Sequence, residues 1–306
     1  MKTGLVYRST GSWCTVKSEN EFYQCRIKGK LRLKGLKSTN PIAVGDWVTF
    51  EVDPKTPSEG SIVSVSERKN YIVRKSVNLS KQTHIIAANI DQTFLMITLH
   101  PPTLPAFIDR FLVTAQAYHI PAVLLFNKID IYSEEELQNI TALQNTYTNI
   151  GYETFLISAK EGIHIALLKE RMKEKVSMFS GHSGVGKSTL LNTIAPHLEL
   201  KTAPLSSQHN QGMHTTTFAE MFDLDYSIRI IDTPGIKGFG VVDMSPEEIG
   251  GYFPEFLTLK EQCKFHNCKH VNEPKCAVLE ALEKGAIATT RYQSYLQLLE
   301  EDSIYR

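Results

Sequence analysis

The segment Met178-Phe-Ser-Gly-His-Ser-Gly-Val-Gly-Lys-Ser-Thr-Leu-Leu191 decides how the rest of the chain is interpreted. The apolar residues that open it predict a buried strand, and those that close it predict the start of a helix. Between them lies Gly-x-x-x-x-Gly-Lys-Ser, the pattern of a loop whose backbone N–H groups surround phosphate oxygens. A glycine-rich turn that binds nothing is the alternative, and the Lys-Ser pair with both correct flanks argues against it. The segment therefore predicts a nucleoside triphosphate site.

Side chains within this loop have separate expected roles. We expect Lys187 to reach the β- and γ-phosphates and the Ser188 hydroxyl to coordinate Mg²⁺. The positive end of the following helix dipole favours the same negative charge. The residues predicted to bind the nucleotide through this loop are Gly181, His182, Ser183, Gly184, Val185, Gly186, Lys187, Ser188 and Thr189.

The length of the chain indicates several domains, and its charge is unevenly distributed. Its 306 residues are enough for two or three domains. Residues 1–81 hold 15 Lys and Arg against 7 Asp and Glu, whereas residues 82–306 hold 18 against 26, so the net charge of zero separates into +8 and −8. A basic first part suggests a polyanionic partner for that part. No apolar run approaches the 18 residues of a membrane span, and the N-terminus has no apolar leader, so we expect a soluble, cytoplasmic protein.

Residues 1–75 are predicted to form a small β-barrel of the OB-fold type, which binds oligonucleotides. Short alternating runs separated by turn residues indicate its strands. Lys and Arg alternate with apolar residues over 26–37, and four aromatic residues offer stacking surfaces. They are Trp13, Phe22, Tyr23 and Trp47. A barrel whose lysines are merely solvated remains the alternative.

Strands and helices alternate over residues 76–240, which predicts a parallel sheet covered by helices on both faces. The strand at 121–126 runs into Asn127-Lys128-Ile129-Asp130, and the next strand runs into Ser158-Ala159. A carboxylate at Asp130 can accept hydrogen bonds from guanine N1–H and the 2-amino group, and adenine offers no such pair. A polar helix-start loop is the alternative for the first motif alone. Both motifs together favour GTP and argue against a small-molecule kinase or ATPase.

Two further segments complete the predicted nucleotide site. The strand at 228–231 leads into Asp232-Thr-Pro-Gly235, where Asp232 would hold Mg²⁺ through water and the Gly235 N–H would sense the γ-phosphate. Residues 208–217 are polar and small and predict a switch loop, with Thr215 favoured over Thr216 as the second Mg²⁺ ligand. Ile236 stands where many small GTPases have a water-orienting glutamine, which predicts slow intrinsic hydrolysis. His214 is the local candidate to position the water, and an exposed loop histidine is the alternative.

The last part, residues 241–306, is predicted to be mainly helical and to bind zinc. Three thiols and one imidazole within 14 residues suit a closed, structural four-coordinate site. These predicted ligands are Cys263, Cys268, His270 and Cys276, with His266 as the candidate substitute for one of them. Separately buried cysteines are the alternative. Cys14 and Cys25 are expected in the core, and the helix carrying Arg291-Tyr-Gln-Ser-Tyr295 is explained equally by packing or by recognition.

The motifs stand in an unusual order, with Asn127–Asp130 and Ser158-Ala159 before the phosphate loop, so the chain resembles a circularly permuted GTPase. With its OB-like first part and its Cys-Cys-His-Cys segment, it closely resembles the ribosome small-subunit-dependent GTPase A family over essentially the whole length. Residues 212–217 also look like a family segment, with Met213 where a basic residue is common.

The resemblance implies a GTPase that binds the 30S subunit and 16S rRNA late in maturation, as a monomer, and is stimulated by the ribosome. The residues expected to take part in hydrolysis are His214, Lys187 and Thr215. A GTP-responsive RNA-binding adaptor whose hydrolysis is incidental is the alternative function.

Overall fold

The computed structural model describes residues 1–27, 40–75, 83–198, 219–233 and 244–304. Within this part of the chain, no helix combines the length and the apolar character needed to cross a membrane.

Five strands close the predicted N-terminal barrel. They are β1 (Lys2–Thr10), β2 (Trp13–Ser18), β3 (Glu21–Ile27), β4 (Trp47–Val52) and β5 (Glu59–Val65). They pair in the order β1-β2-β3-β5-β4, and β4 returns to β1 to close the barrel. Alternate residues of β2 point inward, and Cys14 lies opposite Cys25 in the barrel core, as predicted. The basic run beyond Ile27 lies outside the described residues.

A two-stranded antiparallel hairpin, which the sequence patterns did not predict, follows the barrel. It consists of β6 (Tyr71–Lys75) and β7 (Thr83–Ala88). Asn70 precedes this hairpin, and its buried side-chain amide bonds the backbone of Ile90 in both directions, at 2.8 Å each. This contact fixes the start of the second sheet against the hairpin.

Six strands form the second sheet. They are β8 (Gln92–Ile97), β9 (Ala122–Phe126), β10 (Glu153–Leu156), β11 (Val176–Ser180), β12 (Glu220–Asp223) and β13 (Arg229–Asp232). The order is β10-β9-β8-β11-β13-β12, in which the first five strands are parallel and β12 is antiparallel to β13. Every residue of β8 is buried, as expected for a strand covered on both faces.

Helices cover both faces of this sheet, as predicted. They are α1 (Pro105–Ala117), α2 (Glu134–Thr148), α3 (Ile165–Met172) and α4 (Lys187–Ile194). Leu95 and Ile97 of β8 pack with α1 and α2, whereas Phe94 and Met96 pack with α3 and α4. A capping box of Ser133 and Glu136 begins α2. Because these five strands are parallel, the loops that follow their carboxyl ends meet at one edge of the sheet.

The C-terminal part is mainly helical, as predicted, with α5 (Pro246–Ile249), α6 (Pro254–Lys260), α7 (Ala277–Glu283) and α8 (Thr289–Ile304). Its apolar core includes Val113 of α1, so this part packs directly on the sheet's helical layer. At the β12 edge of the second sheet, β12 pairs with β1 at Arg8 and Glu220, which makes the barrel and the second sheet continuous.

Candidate functional site

The phosphate loop connects β11 to α4 in a conformation that requires glycine at two positions. Gly181 has φ of 146° and Gly186 has φ of 100°. A Cβ atom on Gly181 would lie 2.9 Å from the Met96 carbonyl oxygen, and one on Gly186 would lie 2.6 Å from Asn127 Nδ2. Both positions therefore combine left-handed backbone with close neighbours, and side chains there would displace the loop.

Lys187 lies at the start of α4 and turns back over the loop. Its Nζ donates to the carbonyl oxygens of Gly181 and His182, at 2.5 and 3.0 Å. Burial lowers the pKa of Lys187, while the nearby Asp232 carboxylate acts in the opposite direction. A phosphate oxygen inside the loop would compete with these two carbonyls for the same ammonium group and would supply the stronger, charged partner.

Asn127 connects three of the predicted motifs. Its side-chain Nδ2 donates to the Val185 carbonyl in the phosphate loop at 2.8 Å. Its Oδ1 accepts from the Ala159 N–H at 2.9 Å. The side chain is 2 % exposed, so both bonds lie away from water. The amide thereby fixes the phosphate loop and the Ser158-Ala159 loop at defined positions relative to β9.

The other base-site residues lie around this amide. Lys128 has left-handed backbone with φ of 71°, and its Nζ donates to the His100 carbonyl at 2.5 Å. Asp130 is partly exposed, and the buried Ser158 hydroxyl accepts from the Glu161 N–H at 3.0 Å. Since Asn127 already occupies the Ala159 N–H, a guanine O6 would have to meet another N–H of that loop.

Asp232 ends β13 beside the phosphate loop. Burial raises its pKa to about 6, although the Lys187 ammonium opposes that shift. The next residue, Thr233, donates its hydroxyl to the Phe179 carbonyl at 3.2 Å, which fixes the strand end against β11. Ser188 and Thr189 lie partly buried in the first turn of α4. The predicted Gly235, His214, Thr215 and Thr216 lie outside the described residues.

Four contacts around the loops were not found from the sequence. Thr193 of α4 donates its hydroxyl to the Ala159 carbonyl at 2.7 Å. The ring of His182 lies against Phe107 of α1, with centroids 3.8 Å apart. Tyr132 bonds the backbone at both Leu99 and Asn127. Apart from Asn127, which lies five residues before Tyr132, each partner comes from a distant part of the chain, so no local pattern marks these contacts.

The four predicted metal ligands come together in the C-terminal part. One ligand atom from each of Cys263, Cys268, His270 and Cys276 lies within 4.8 Å of the others, so the cluster is able to hold a metal ion. Cys263 Sγ is 3.9 Å from Cys276 Sγ, and His270 Nδ1 is 3.3 Å from Cys276 Sγ. Thiolates about 2.3 Å from one tetrahedral ion stand about 3.8 Å apart, which matches the spacing of these thiols.

Helix α8 and one carboxylate support this cluster from outside. Tyr292 and Tyr295 donate their hydroxyls to the carbonyl oxygens of His270 and Lys269, at 2.8 and 2.5 Å. Glu273 accepts from three backbone N–H groups of the loop, those of Lys269, Val271 and Asn272. These contacts orient the ligand loop, so packing explains the two tyrosines of α8.

The barrel presents three of the four expected aromatic residues. Trp13 lies under the Arg26 guanidinium, whose Cζ is 4.1 Å from its ring centroid. Phe22 and Trp47 are 53 % and 44 % exposed. Tyr23 was wrongly included as a stacking surface, because it is buried against Phe50 in the barrel core.

Two protein-family models match this chain. The RsgA N-terminal domain model matches residues 3–62, and the RsgA GTPase model matches residues 65–242. The chain belongs to the RsgA GTPase family. The family resemblance seen in the sequence is thus confirmed, and the activity class is that of a GTPase.

Relatives of this RsgA family chain match nearly its whole length. It is 62 % identical to the small ribosomal subunit biogenesis GTPase RsgA of Christiangramia forsetii, covering 99 % of this chain and 98 % of the relative. It is 63 % identical to the protein of the same name from Flavobacterium johnsoniae, over 98 % and 93 % of the two chains.

Solved structures agree with the fold. The crystal structure of YjeQ from Thermotoga maritima matches with a TM-score of 0.79 and 37 % identity, over 98 % of each chain. YloQ, described as a circularly permuted GTPase, matches with a TM-score of 0.74 and 28 % identity, over 100 % of this chain and 96 % of YloQ. The permuted order predicted from the motifs is therefore confirmed.

Proposed function

We propose that this GTPase acts in the biogenesis of the small ribosomal subunit. It binds the 30S subunit and 16S rRNA late in maturation, and the ribosome stimulates its hydrolysis of GTP to GDP and phosphate. The near full-length similarity to chains named small ribosomal subunit biogenesis GTPase RsgA carries this proposal. We place the protein in the cytoplasm as a monomer, with domains at 1–75, 76–240 and 241–306.

The nucleotide chemistry follows from the loops at the sheet edge. Asp130 accepts from the guanine N1–H and 2-amino groups, and Asn127 holds the base loop to the phosphate loop through its bond to Val185. Lys187 exchanges its two carbonyl partners for β- and γ-phosphate oxygens. Ser188, Thr215 and, through water, Asp232 would hold Mg²⁺, which would neutralise charge on the phosphates. Gly235 senses the γ-phosphate, and His214 orients the attacking water.

The metal of the C-terminal cluster is zinc in this proposal. Its support is the donor set, because three thiolates and one imidazole are a closed tetrahedral set that leaves no position for water. The outward hydrogen bonds of the loop carbonyls to α8 fit a structural role. The site thereby shapes the C-terminal surface and takes no part in hydrolysis.

Contact of the barrel with rRNA is supported by its aromatic and basic side chains. The Trp13 ring with Arg26 above it, and exposed Phe22 and Trp47, offer planar surfaces to unpaired bases. The excess positive charge of residues 1–81 provides attraction to phosphates.

The test measures GTP hydrolysis by the zinc-loaded protein with and without purified 30S subunits, for the wild type and for His214→Ala. We expect large stimulation in the wild type and its loss in the variant. Stimulation that survives in His214→Ala would move water positioning to another residue and leave the function in place. Tight GTP binding without stimulation would instead favour the RNA-binding adaptor.

A matched control separates nucleotide recognition from catalysis. Asp130→Asn replaces one of the two carboxylate oxygens that accept from guanine by an NH₂ donor, which opposes a guanine donor, and leaves the phosphate loop unchanged. GTP affinity therefore falls while zinc content stays the same. Equal affinity of the wild type for ATP and GTP would contradict the guanine assignment.

A further inference from the structure

The tyrosine hydroxyl that follows the base loop bridges two segments of backbone. Tyr132 is 8 % exposed and lies two residues beyond Asp130. Its Oη donates to the Asn127 carbonyl at 2.9 Å and accepts from the Leu99 N–H at 2.9 Å. The hydroxyl thus acts as a donor to the end of β9 and as an acceptor from the loop after β8.

The loop that receives this hydroxyl is itself held by hydrogen bonds. The Thr98 hydroxyl donates to the Pro101 carbonyl at 2.7 Å, and the Thr98 N–H donates to the Thr103 hydroxyl at 3.2 Å. The Lys128 ammonium donates to the His100 carbonyl of the same loop at 2.5 Å. Residues 98–103 therefore act as a fixed support that holds the base loop at two points, the Asn127 peptide and the Lys128 side chain.

The orientation of the Asn127 peptide affects both of its neighbours. Its side-chain amide has to meet Val185 and Ala159 simultaneously, at 2.8 and 2.9 Å. The same peptide begins the left-handed turn at Lys128 that delivers Asp130. Rotation of this peptide would move the carboxylate relative to a bound base, and hydrogen-bond recognition falls steeply with misalignment.

We propose that Tyr132 is a positioning residue for guanine recognition, because its hydroxyl fixes the turn that carries Asp130 against the loop at 98–103. This inference rests on the proposed role of Asp130 toward the base. A phenylalanine would fill the same space beside the His100 ring, whose centroid is 6.2 Å from that of Tyr132. Packing alone therefore does not explain the hydroxyl, whereas its two backbone bonds do.

The test compares Tyr132→Phe with Tyr147→Phe. The Tyr147 hydroxyl is also buried and donates to Asp109 Oδ1 at 2.8 Å, on the side of the sheet that faces the C-terminal part. Affinities for GTP and for inosine triphosphate, which lacks the 2-amino group, are measured by calorimetry with thermal unfolding as the stability readout. We expect Tyr132→Phe to weaken GTP binding about tenfold and inosine triphosphate binding less, which reduces the preference for GTP.

Tyr147→Phe is expected to lower the unfolding temperature and leave the preference for GTP over inosine triphosphate at the wild-type value. An unchanged preference in Tyr132→Phe, with or without an equal loss for both nucleotides, would overturn the inference and leave Tyr132 as a packing residue. A wild-type protein that binds ATP as tightly as GTP would overturn the role of Asp130 and this inference together, which distinguishes the two failures.

Discussion

The GTPase sheet joins its two neighbours through junctions of opposite character. On the barrel side, β12 pairs with β1 at Arg8 and Glu220. The Asp223 carboxylate there contacts side chains of both sheets, namely Tyr7, Lys17 and Arg229. The Asp223 side chain is 34 % exposed and that of Lys17 is 26 % exposed. On the C-terminal side, α8 packs on α1, and Arg291 pairs with Asp109 at 2.7 Å with side chains only 1 % and 0 % exposed.

The two junctions differ in whether water can hydrate a charged side chain once its ion pair is broken. Solvent reaches the barrel junction, so a broken ion pair there can be hydrated at little cost. At the C-terminal junction, removing one partner leaves a charge in a dry environment, which costs several kcal/mol. We therefore expect the C-terminal part to move with the GTPase sheet as one unit and the barrel to be the part that can shift. The predictions below test this contrast.

The largest effect is expected from removal of the zinc proposed for the C-terminal cluster. Tyr292 and Tyr295 of α8 bond carbonyls of the ligand loop, so loss of the metal loosens the loop and then the junction. Structural zinc can contribute roughly 10 kcal/mol to small domains, and we expect chelation to cost on the order of 5 kcal/mol here because α5–α8 have their own apolar core.

Hydrogen exchange read by mass spectrometry checks this expectation. Chelation should increase exchange in the ligand loop and in α8 and leave β1–β5 unchanged, and Cys276→Ser should reproduce the pattern without a chelator. Increased exchange in the barrel alone would contradict the proposed division of the molecule.

Arg291→Ala is expected to cost about 3–5 kcal/mol of unfolding free energy. The guanidinium bonds Asp109 and both carboxylate oxygens of Glu255, so its removal leaves two buried carboxylates without their cation. Burial already raises the pKa of Asp109, with Arg291 opposing that shift. Urea unfolding measures the loss.

Arg291→Lys serves as the control, because it keeps the charge and loses the planar fork, and a smaller loss is expected. A cost of about 1 kcal/mol or less for Arg291→Ala would show that water enters this junction and would remove the contrast with the barrel side.

The contacts at the C-terminal junction also show which features could be predicted from the sequence and which could not. The nucleotide motifs and the four Cys and His residues that cluster in the C-terminal part could be picked out in the sequence because each is a local pattern with fixed spacing. Arg291 was noticed, but its role was left open between packing and recognition, because its partners Asp109 and Glu255 lie 182 and 36 residues away. No local period connects such residues.

The fold itself was predictable for a similar reason. Alternation in β2 and the apolar run Phe94–Ile97 of β8 indicate a half-buried and a fully buried strand. The hairpin of β6 and β7 was missed, and so was the pairing of β12 with β1. Both depend on which strand edges meet in three dimensions, and that choice leaves no periodic mark in the sequence.

At the barrel junction, Asp223→Asn is expected to cost about 1–2 kcal/mol, as charged hydrogen bonds do when partly exposed. Asp223 accepts from the Tyr7 hydroxyl at 2.6 Å and pairs with Lys17 and Arg229. Burial alone would raise the pKa of Asp223, but Lys17 and Tyr7 outweigh burial and hold it below the ordinary 3.8.

The pH dependence follows from the direction of this shift. A carboxyl group with a lowered pKa stabilises the folded protein above its unfolded pKa and loses that contribution as pH falls through the folded pKa. The difference in unfolding free energy between wild type and Asp223→Asn should therefore be constant above about pH 4 and shrink below it. A difference that grows on acidification would contradict the assignment.

The smallest effect is expected for Lys17→Met, which keeps most of the stem and removes the charge. Lys17 pairs with Asp223 and lies 5.6 Å from the ring centroids of Tyr7 and Phe22. Because the pair is partly solvated and Arg229 remains beside Asp223, the cost should be at most about 1 kcal/mol and should fall further in 1 M salt. A cost comparable to that of Arg291→Ala, unchanged by salt, would mean that the barrel junction is as dry as the C-terminal one, and that the barrel is held as firmly as α8.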